Sequence, residues 1–150
     1  DLVETINSTH VNTSYLKDFT LDDHITASTD IAHVLESGTG IVMVCIPTPF
    51  FRQFLVDNLD QFPRGVPIVC CNKGIEKDSF ETPYEIAINE MPGAYHKYLG
   101  CLAGPSFAQE VVLDLPTNVT VAASTMKSAR LIQTIVSDNS FRAYATTGRS

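Results

Sequence analysis

The chain has 150 residues, 44% of them hydrophobic and 18% charged, and its formal net charge is −7. This length and composition predict a single folded domain with a sizeable buried core. The negative charge argues against nucleic acid and anionic membrane surfaces as the main partners. The longest apolar run, residues 41–46, is much shorter than the roughly 20 residues of a transmembrane helix, so no membrane span is predicted.

The hydrophobic pattern predicts helices and strands that alternate along the chain. Residues 2–16 mix apolar and polar side chains and are predicted as a helix, and residues 25–28 form a short β-prone run. Asp30 is a candidate N-cap for a helix over 31–36, which Gly38 ends. Later strands are predicted at 41–46, 67–71, 98–103, 117–123 and 141–145, and later helices at 50–58, 83–90, 107–113 and 126–136.

The predicted strands are continuous apolar runs, which is typical of strands buried on both faces. Strands that alternate with helices indicate right-handed β-α-β crossovers and a mostly parallel sheet with helices on both faces. The predicted fold class is therefore α/β. No repeat, low-complexity tract or linker divides the chain.

Ligands of open parallel sheets bind at the carboxyl ends of the strands. Three loops follow predicted strands directly, at residues 47–50, 72–74 and 104–106. Because parallel strands end on the same side of a sheet, we expect these loops to lie close together. They are the predicted location of a binding site.

The loop at 104–106 has the sequence Gly-Pro-Ser and precedes a predicted helix. Gly104 permits a close approach of another group, and Pro105 suits the first turn of a helix. Ser106 would add a hydroxyl beside the free N–H groups of that turn, where the helix dipole favours an anion. The loop therefore predicts an anion site, although Ser106 could instead serve only as a helix cap.

The other two loops offer a charge and an aromatic ring. Lys73 precedes Gly74 and could supply a point charge to a phosphate or an oxyanion, or it could be a solvated lysine in a turn. Phe50 follows two prolines and could either stack on a flat ligand or join the core, whereas Phe51 is expected in the core.

The four cysteines and four histidines form no recognisable metal motif. Cys45, Cys70, Cys71 and Cys101 lie in or beside apolar runs, and no pair has the C-x-x-C spacing. They are interpreted as small buried hydrophobic side chains in a protein of a reducing compartment. No metal is predicted.

Six short motifs, two of which are specific in combination, follow one another along the chain. The specific blocks are Lys73-Gly74-Ile75-Glu76 and the G-P-S-F-A-Q-E of residues 104–110. The others lie at residues 6–16, 46–47, 116–117 and 141–144. In this order they resemble NAD-dependent glycerol-3-phosphate dehydrogenase. The residues of the motifs are more similar to those of the bacterial and trypanosomatid enzymes than to those of the animal ones.

The resemblance implies a Rossmann-like domain that holds NAD(H). It also implies an enzyme that interconverts sn-glycerol 3-phosphate and dihydroxyacetone phosphate by hydride transfer. Lys73 matches a family lysine that touches both substrate and cofactor. Gly104 and Ser106 match substrate-binding positions, and Phe50 and Ala108 match cofactor-binding positions.

Two parts of the family pattern find no match in the sequence. The first strand with its glycine-rich turn, G-x-G-x-x-G/A, is expected before Asp1, and the general-base lysine is expected downstream of Tyr144. The resemblance therefore implies that residues 1–150 are a partial NAD-binding domain without the catalytic domain or any catalytic residue, and are inert alone. For the complete enzyme it implies a homodimer, in the cytoplasm or in an organelle if a targeting signal was lost.

Two alternatives remain from the sequence. The chain could be a shortened, non-catalytic paralogue that binds a nucleotide or a partner, since the glycine turn and the base are missing. It could also belong to a related Rossmann dehydrogenase that acts on another phosphorylated or carboxylated alcohol.

Overall fold

The computed structural model describes residues 1–36 and 38–148. The chain divides into two compact units, Asp1–Glu36 and the residues that follow. The first unit contains α1 (Leu2–Thr9), an antiparallel pair of strands, β1 (Val11–Asn12) and β2 (Leu16–Thr20), and the single-turn α2 (Ile31–Val34).

The helix predicted over residues 2–16 is wrong beyond Thr9. His10 adopts a left-handed conformation with φ 55°, and its N–H closes the last turn on Ile6 O at 2.8 Å. The predicted β-prone run at 25–28 is not a strand in the structure. The predicted N-cap of α2 is confirmed, because Asp30 Oδ1 accepts a hydrogen bond from Ala32 N at 2.9 Å.

The second unit alternates strands and helices as the sequence predicts. Its first half contains β3 (Val42–Val44), α3 (Thr48–Asn58), a 3-10 turn (Leu59–Gln61), β4 (Ile68–Cys70), α4 (Pro83–Glu90) and α5 (Gly93–His96). Its second half contains β5 (Leu99–Ala103), α6 (Ala108–Val111), β6 (Thr117–Ala123), α7 (Met126–Val136) and β7 (Phe141–Thr146).

The five strands of this unit form one sheet in the order β3-β4-β5-β6-β7. Three of the four neighbouring pairs are parallel, and β5 and β6 are antiparallel. The α/β, mostly parallel fold is therefore confirmed, but the crossover expected between β5 and β6 is wrong. The connection at 104–116 holds only the four-residue α6, so the chain turns back beside β5 instead of crossing the sheet.

Helices cover both faces of the sheet. On one face, a Cβ placed on Gly100 would lie 2.5 Å from Ile132 Cδ1 of α7, so this small residue lets the helix pack closely on the strands. On the other face, the Cys70 thiol of β4 contacts Pro83 O at the start of α4, at 3.7 Å.

The strand directions bring one end of each of the five strands, with the adjoining loops, to the same end of the sheet. Because β3, β4 and β5 are parallel, the loops at 47–50, 72–74 and 104–106 leave from the same end, as predicted. Because β6 runs in the opposite direction and β7 is parallel to β6, the amino ends of these two strands lie at that end as well.

Candidate functional site

Side-chain hydrogen bonds join the loops after β3 and β4. Thr48, which is 4% exposed at the start of α3, donates from Oγ1 to Lys73 O at 2.7 Å. In the opposite direction, Asn72 Nδ2 donates to Ile46 O at 2.5 Å. The two loops therefore hold each other by one bond from each side, which fixes the backbone at Lys73.

The Lys73 side chain connects this pair of loops to the third one. Its Nζ donates to Gly104 O at 3.0 Å and lies 3.4 Å from Ser106 Oγ. Lys73 is exposed, and an ammonium has three donors, so one donor remains for a ligand. The structure therefore brings together the three residues that the sequence analysis assigned to the substrate.

Gly104 is required by the neighbouring strand. Its φ is +155°, and a Cβ placed on it would lie 3.0 Å from both Asn118 O and Val119 Cα of β6. The group that approaches this glycine closely, as predicted, is the backbone of β6. This contact sets the position of the carbonyl that receives the Lys73 ammonium.

The helix predicted over 107–113 is shorter in the structure, and Ser106 is not its cap. The helix begins at Ala108 rather than beside Pro105, has only four residues, and takes Phe107 as its N-cap without a side-chain bond. Ser106 therefore does not cap it, and the Ser106 N–H donates to Gly104 O at 3.0 Å. The positive group at this site is the Lys73 ammonium instead of a helix end.

The two residues assigned to the cofactor lie on the surface. Phe50 is in the first turn of α3 and is 66% exposed, whereas its neighbour Phe51 is fully buried, as predicted. Ala108 is the exposed first residue of α6. Both Phe50 and Ala108 are therefore accessible to a ligand.

Two thiols lie side by side beneath these loops. Cys45 and Cys71 directly follow the register pair Val44–Cys70 of β3 and β4. A hydrogen bond from Cys71 lowers the pKa of the Cys45 thiol to about 7, and the charge of Lys73 contributes to this effect. The same bond and burial raise the pKa of Cys71. Because Cys45 is exposed, its interpretation as a buried hydrophobic side chain is wrong.

Sequence reasoning missed Arg52, which lies among the carboxylates of Glu76, Glu81 and Glu90. These partners are 24 to 38 positions away along the chain, so no local pattern could identify them. Thr48 was missed for the same reason, since its partner Lys73 is 25 positions away.

Within residues 1–36 and 38–148, no helix is long and apolar enough to cross a membrane. The same residues contain no group of three or more His, Cys, Asp or Glu side chains that could hold a metal ion.

Curated relatives match nearly the whole chain. A glycerol-3-phosphate dehydrogenase [NAD(P)+] of Leptospira biflexa is 38% identical over 142 residues, which are 95% of this chain and 42% of that protein. One of Brucella ovis is 38% identical over 147 residues, which are 98% of this chain and 44% of that protein. The chain therefore spans less than half the length of these relatives.

Solved structures share the fold. A glycerol-3-phosphate dehydrogenase of Coxiella burnetii superposes with a TM-score of 0.82 at 23% identity, covering 97% of this chain and 43% of its own. One of Saccharomyces cerevisiae superposes with a TM-score of 0.81 at 22% identity, with the same coverage. These likenesses confirm the Rossmann-like architecture.

The family model described as NAD-dependent glycerol-3-phosphate dehydrogenase N-terminus matches residues 1–129, which include Lys73, Gly104 and Ser106. With this match and the curated relatives, the chain belongs to the family of N-terminal domains of NAD-dependent glycerol-3-phosphate dehydrogenases.

Proposed function

We propose that this chain is part of the NAD-binding domain of a glycerol-3-phosphate dehydrogenase. The complete protein would interconvert sn-glycerol 3-phosphate and dihydroxyacetone phosphate with NAD(H). The observation that carries the proposal is the exposed Lys73 ammonium, held 3.0 Å from Gly104 O and 3.4 Å from Ser106 Oγ at the carboxyl ends of the parallel strands.

This arrangement suits the reduction of a ketone. When the carbonyl of dihydroxyacetone phosphate becomes an alkoxide, negative charge develops on its oxygen. A fixed ammonium close to that oxygen stabilises the charge more in the transition state than in the ground state. The third donor of Lys73 has this role in the proposal, and the Ser106 hydroxyl is a second group for the substrate.

The cofactor surface is formed by Phe50, Lys73 and Ala108. The exposed Phe50 ring offers an apolar face for the dinucleotide, and Ala108 offers a small side chain at the start of α6. NAD(H) supplies the hydride when it is bound. Lys73 would lie between cofactor and substrate, which accounts for its assignment to both.

The remaining parts of the enzyme are placed outside residues 1–150. We assign the first strand with its glycine-rich turn to a segment before Asp1, and the general-base lysine with the catalytic domain to a segment after Tyr144. The complete enzyme is proposed to be a homodimer in the cytoplasm, or in an organelle if it carries a targeting signal. We also propose that nucleic acid and anionic membranes are not among its partners, because this chain carries a net charge of −7.

The test is an assay of the complete reading frame that contains this chain. We expect NADH oxidation that depends on dihydroxyacetone phosphate, and no turnover by residues 1–150 alone. Dihydroxyacetone without phosphate, and other phosphorylated or carboxylated ketones, serve as controls for the substrate class. If one of these control compounds is turned over faster than dihydroxyacetone phosphate, that compound becomes the proposed substrate.

A complete frame that starts near Asp1, stops after Ser150 and still binds NADH would contradict the enzymatic proposal. That result would favour a non-catalytic binding module.

A further inference from the structure

Arg52 lies at the centre of a partly buried cluster of ion pairs. Its Nε is 3.1 Å from each Glu76 carboxylate oxygen, and its Nη2 is 2.6 Å from Glu76 Oε2. Glu81 accepts from Nη2 and Glu90 accepts from Nη1. The four side chains are between 18% and 31% exposed, so solvent screens these contacts less than it screens contacts on an open surface.

Two of the three carboxylates belong to the loop that carries Lys73. Glu76 is three positions after Lys73, and Glu81 is the residue before the Thr82 N-cap of α4. The loop is also closed on itself, because Glu76 N donates to Glu81 O at 2.9 Å and Ser79 Oγ donates to Glu76 Oε2 at 2.5 Å. Arg52 therefore binds a compact loop to α3 as a unit.

The same helix holds Lys73 itself. Thr48 and Arg52 are four positions apart in α3, so they lie on one side of the helix. Thr48 binds the Lys73 carbonyl and Arg52 binds the Glu76 carboxylate. Between these two points Gly74 has a φ of 86°, a conformation that turns the backbone sharply and that glycine adopts readily.

We propose that Arg52 is the positioning residue for Lys73: through Glu76 and Glu81 it fixes the loop after β4, so that the Lys73 ammonium meets Gly104 and Ser106. This role in the reaction rests on the proposed function. Without Arg52, three carboxylates would face one another without a cation, and their repulsion would push the loop away from α3. The ion pairs raise the pKa of Arg52 and lower the pKa of Glu76, so both charges persist around neutral pH.

A purely structural role is the competing explanation, because Glu90 makes Arg52 a link between α3 and the last residue of α4. The chain offers a matched pair of variants to separate the two roles. Glu76→Gln and Glu90→Gln each remove one carboxylate from Arg52, but only Glu76 belongs to the loop with Lys73.

The experiment is a double-mutant cycle in the complete protein, with kcat/KM for dihydroxyacetone phosphate as the readout. We expect Arg52→Gln to lower kcat/KM by about 10- to 100-fold, as for a reacting group displaced by about 1 Å. In a Lys73→Ala background, the same change should have no further effect, because the group that it misplaces is gone. Arg52→Lys, which keeps the charge but not the fork of donors, should restore part of the activity.

The paired variants complete the test. Glu76→Gln should lower kcat/KM in the same direction as Arg52→Gln, whereas Glu90→Gln should lower the thermal midpoint and leave kcat/KM unchanged. Equal losses in the wild-type and Lys73→Ala backgrounds would overturn the positioning role, as would a larger loss for Glu90→Gln than for Glu76→Gln.

Amide hydrogen exchange tests the anchor without any activity. Arg52→Gln should speed exchange at Glu76 and Phe80, whose N–H groups bond Glu81 O and Glu76 O within the loop, more than Glu90→Gln does. Unchanged exchange at both amides would overturn the proposal. A complete protein that turns over no dihydroxyacetone phosphate, but shows the exchange effect, would refute the proposed function and leave the anchor in place.

Discussion

The loop after β4 and the turn before β7 lie at the same end of the sheet, but they are held in different ways. In the loop, Lys73, Glu76 and Glu81 bond residues 24 to 33 positions away. In the turn, Asp138 Oδ1 accepts from the N–H of Ser140 at 2.8 Å and of Phe141 at 2.6 Å. Apart from a 3.4 Å contact of Ser140 with Asp114, the side chains of this turn bond residues close to them in the chain.

This difference separates two uses of loop structure. A turn that is closed by its own carboxylate sets the path of the chain and depends little on other elements. A loop that is bonded to α3, β3 and the loop after β5 depends on those elements, and together they determine where the Lys73 ammonium lies. Variants of the loop should therefore change activity more than stability, and variants of the turn should do the reverse.

The largest effect is expected for Lys73→Ala in the complete protein. Loss of a donor to a developing oxyanion typically costs about 100- to 1000-fold in kcat, so kcat/KM for dihydroxyacetone phosphate should fall by about this factor. The thermal midpoint should barely change, because Lys73 is exposed. Lys77→Ala, which removes another exposed lysine of the same loop, is the matched control. An unchanged rate for Lys73→Ala would remove this residue from the site.

Gly104→Ala should reduce both activity and stability. Its φ of +155° disfavours a side chain, and the new Cβ would lie 3.0 Å from the backbone of β6. The expected cost in the free energy of unfolding is about 1–3 kcal/mol, together with a fall in kcat/KM because the carbonyl that binds Lys73 moves. Gly93→Ala is the control, since Gly93 begins α5 and has no atom within 4 Å of its added Cβ. Equal effects of the two substitutions would contradict the role of the β6 contact.

The ion pairs of Arg52 predict how the loop responds to acid. Arg52 lowers the pKa of Glu76 in the folded chain. The stabilisation is therefore present above the unfolded pKa of about 4.3 and is lost as the pH falls through the lower folded value. Urea unfolding between about pH 5 and pH 3 should show a smaller loss of stability for Glu76→Gln than for the wild type. Equal losses would mean that this pair does not stabilise the fold.

The parallel strands and their shared end could be predicted from the sequence. Apolar runs that end at Pro47, Asn72 and Gly104 predict strands followed by breaks, and parallel strands bring such breaks together. For this reason the sequence could predict that Lys73 and the Gly104 loop lie at the same end of the sheet. The hydrogen bonds from Lys73 Nζ to Gly104 O and Ser106 Oγ could not be predicted, because they join residues 31 and 33 positions apart in the sequence.

The errors arise where tertiary contacts override local pattern. The apolar stretch after Ser106 resembles a helix, but only residues Ala108–Val111 form one, since the chain must return within 13 residues to pair antiparallel with β5. Likewise, His10 ends α1 in a left-handed conformation and is followed by the antiparallel strands β1 and β2, which no turn motif in the sequence predicts. The Arg52 cluster could not be predicted, because its charged residues are far apart in the sequence. They meet only when α3, the loop after β4 and α4 pack together.

The smallest effect is expected for Asp138→Ala in the turn before β7. Asp138 Oδ1 receives the N–H groups of Phe141 and Ser140, and these bonds lower its pKa, so the substitution removes an ionised acceptor from the turn. We expect a small fall in the thermal midpoint at neutral pH. Because this contribution is also lost when the pH falls through the lowered folded pKa, the midpoints of variant and wild type should converge in acid.

The activity of Asp138→Ala tests whether the turn before β7, unlike the loop after β4, has no effect on catalysis. Its kcat/KM for dihydroxyacetone phosphate should equal that of Asp78→Ala, which removes an exposed carboxylate from the loop after β4 and leaves the Arg52 cluster intact. Asp138→Asn keeps a neutral acceptor and should lie between wild type and Asp138→Ala in stability. A loss of activity in Asp138→Ala comparable to that in Arg52→Gln would show that the turn also positions Lys73. In that case, the local bonds of Asp138 would affect the position of Lys73 as strongly as the long-range ion pairs of Arg52 do.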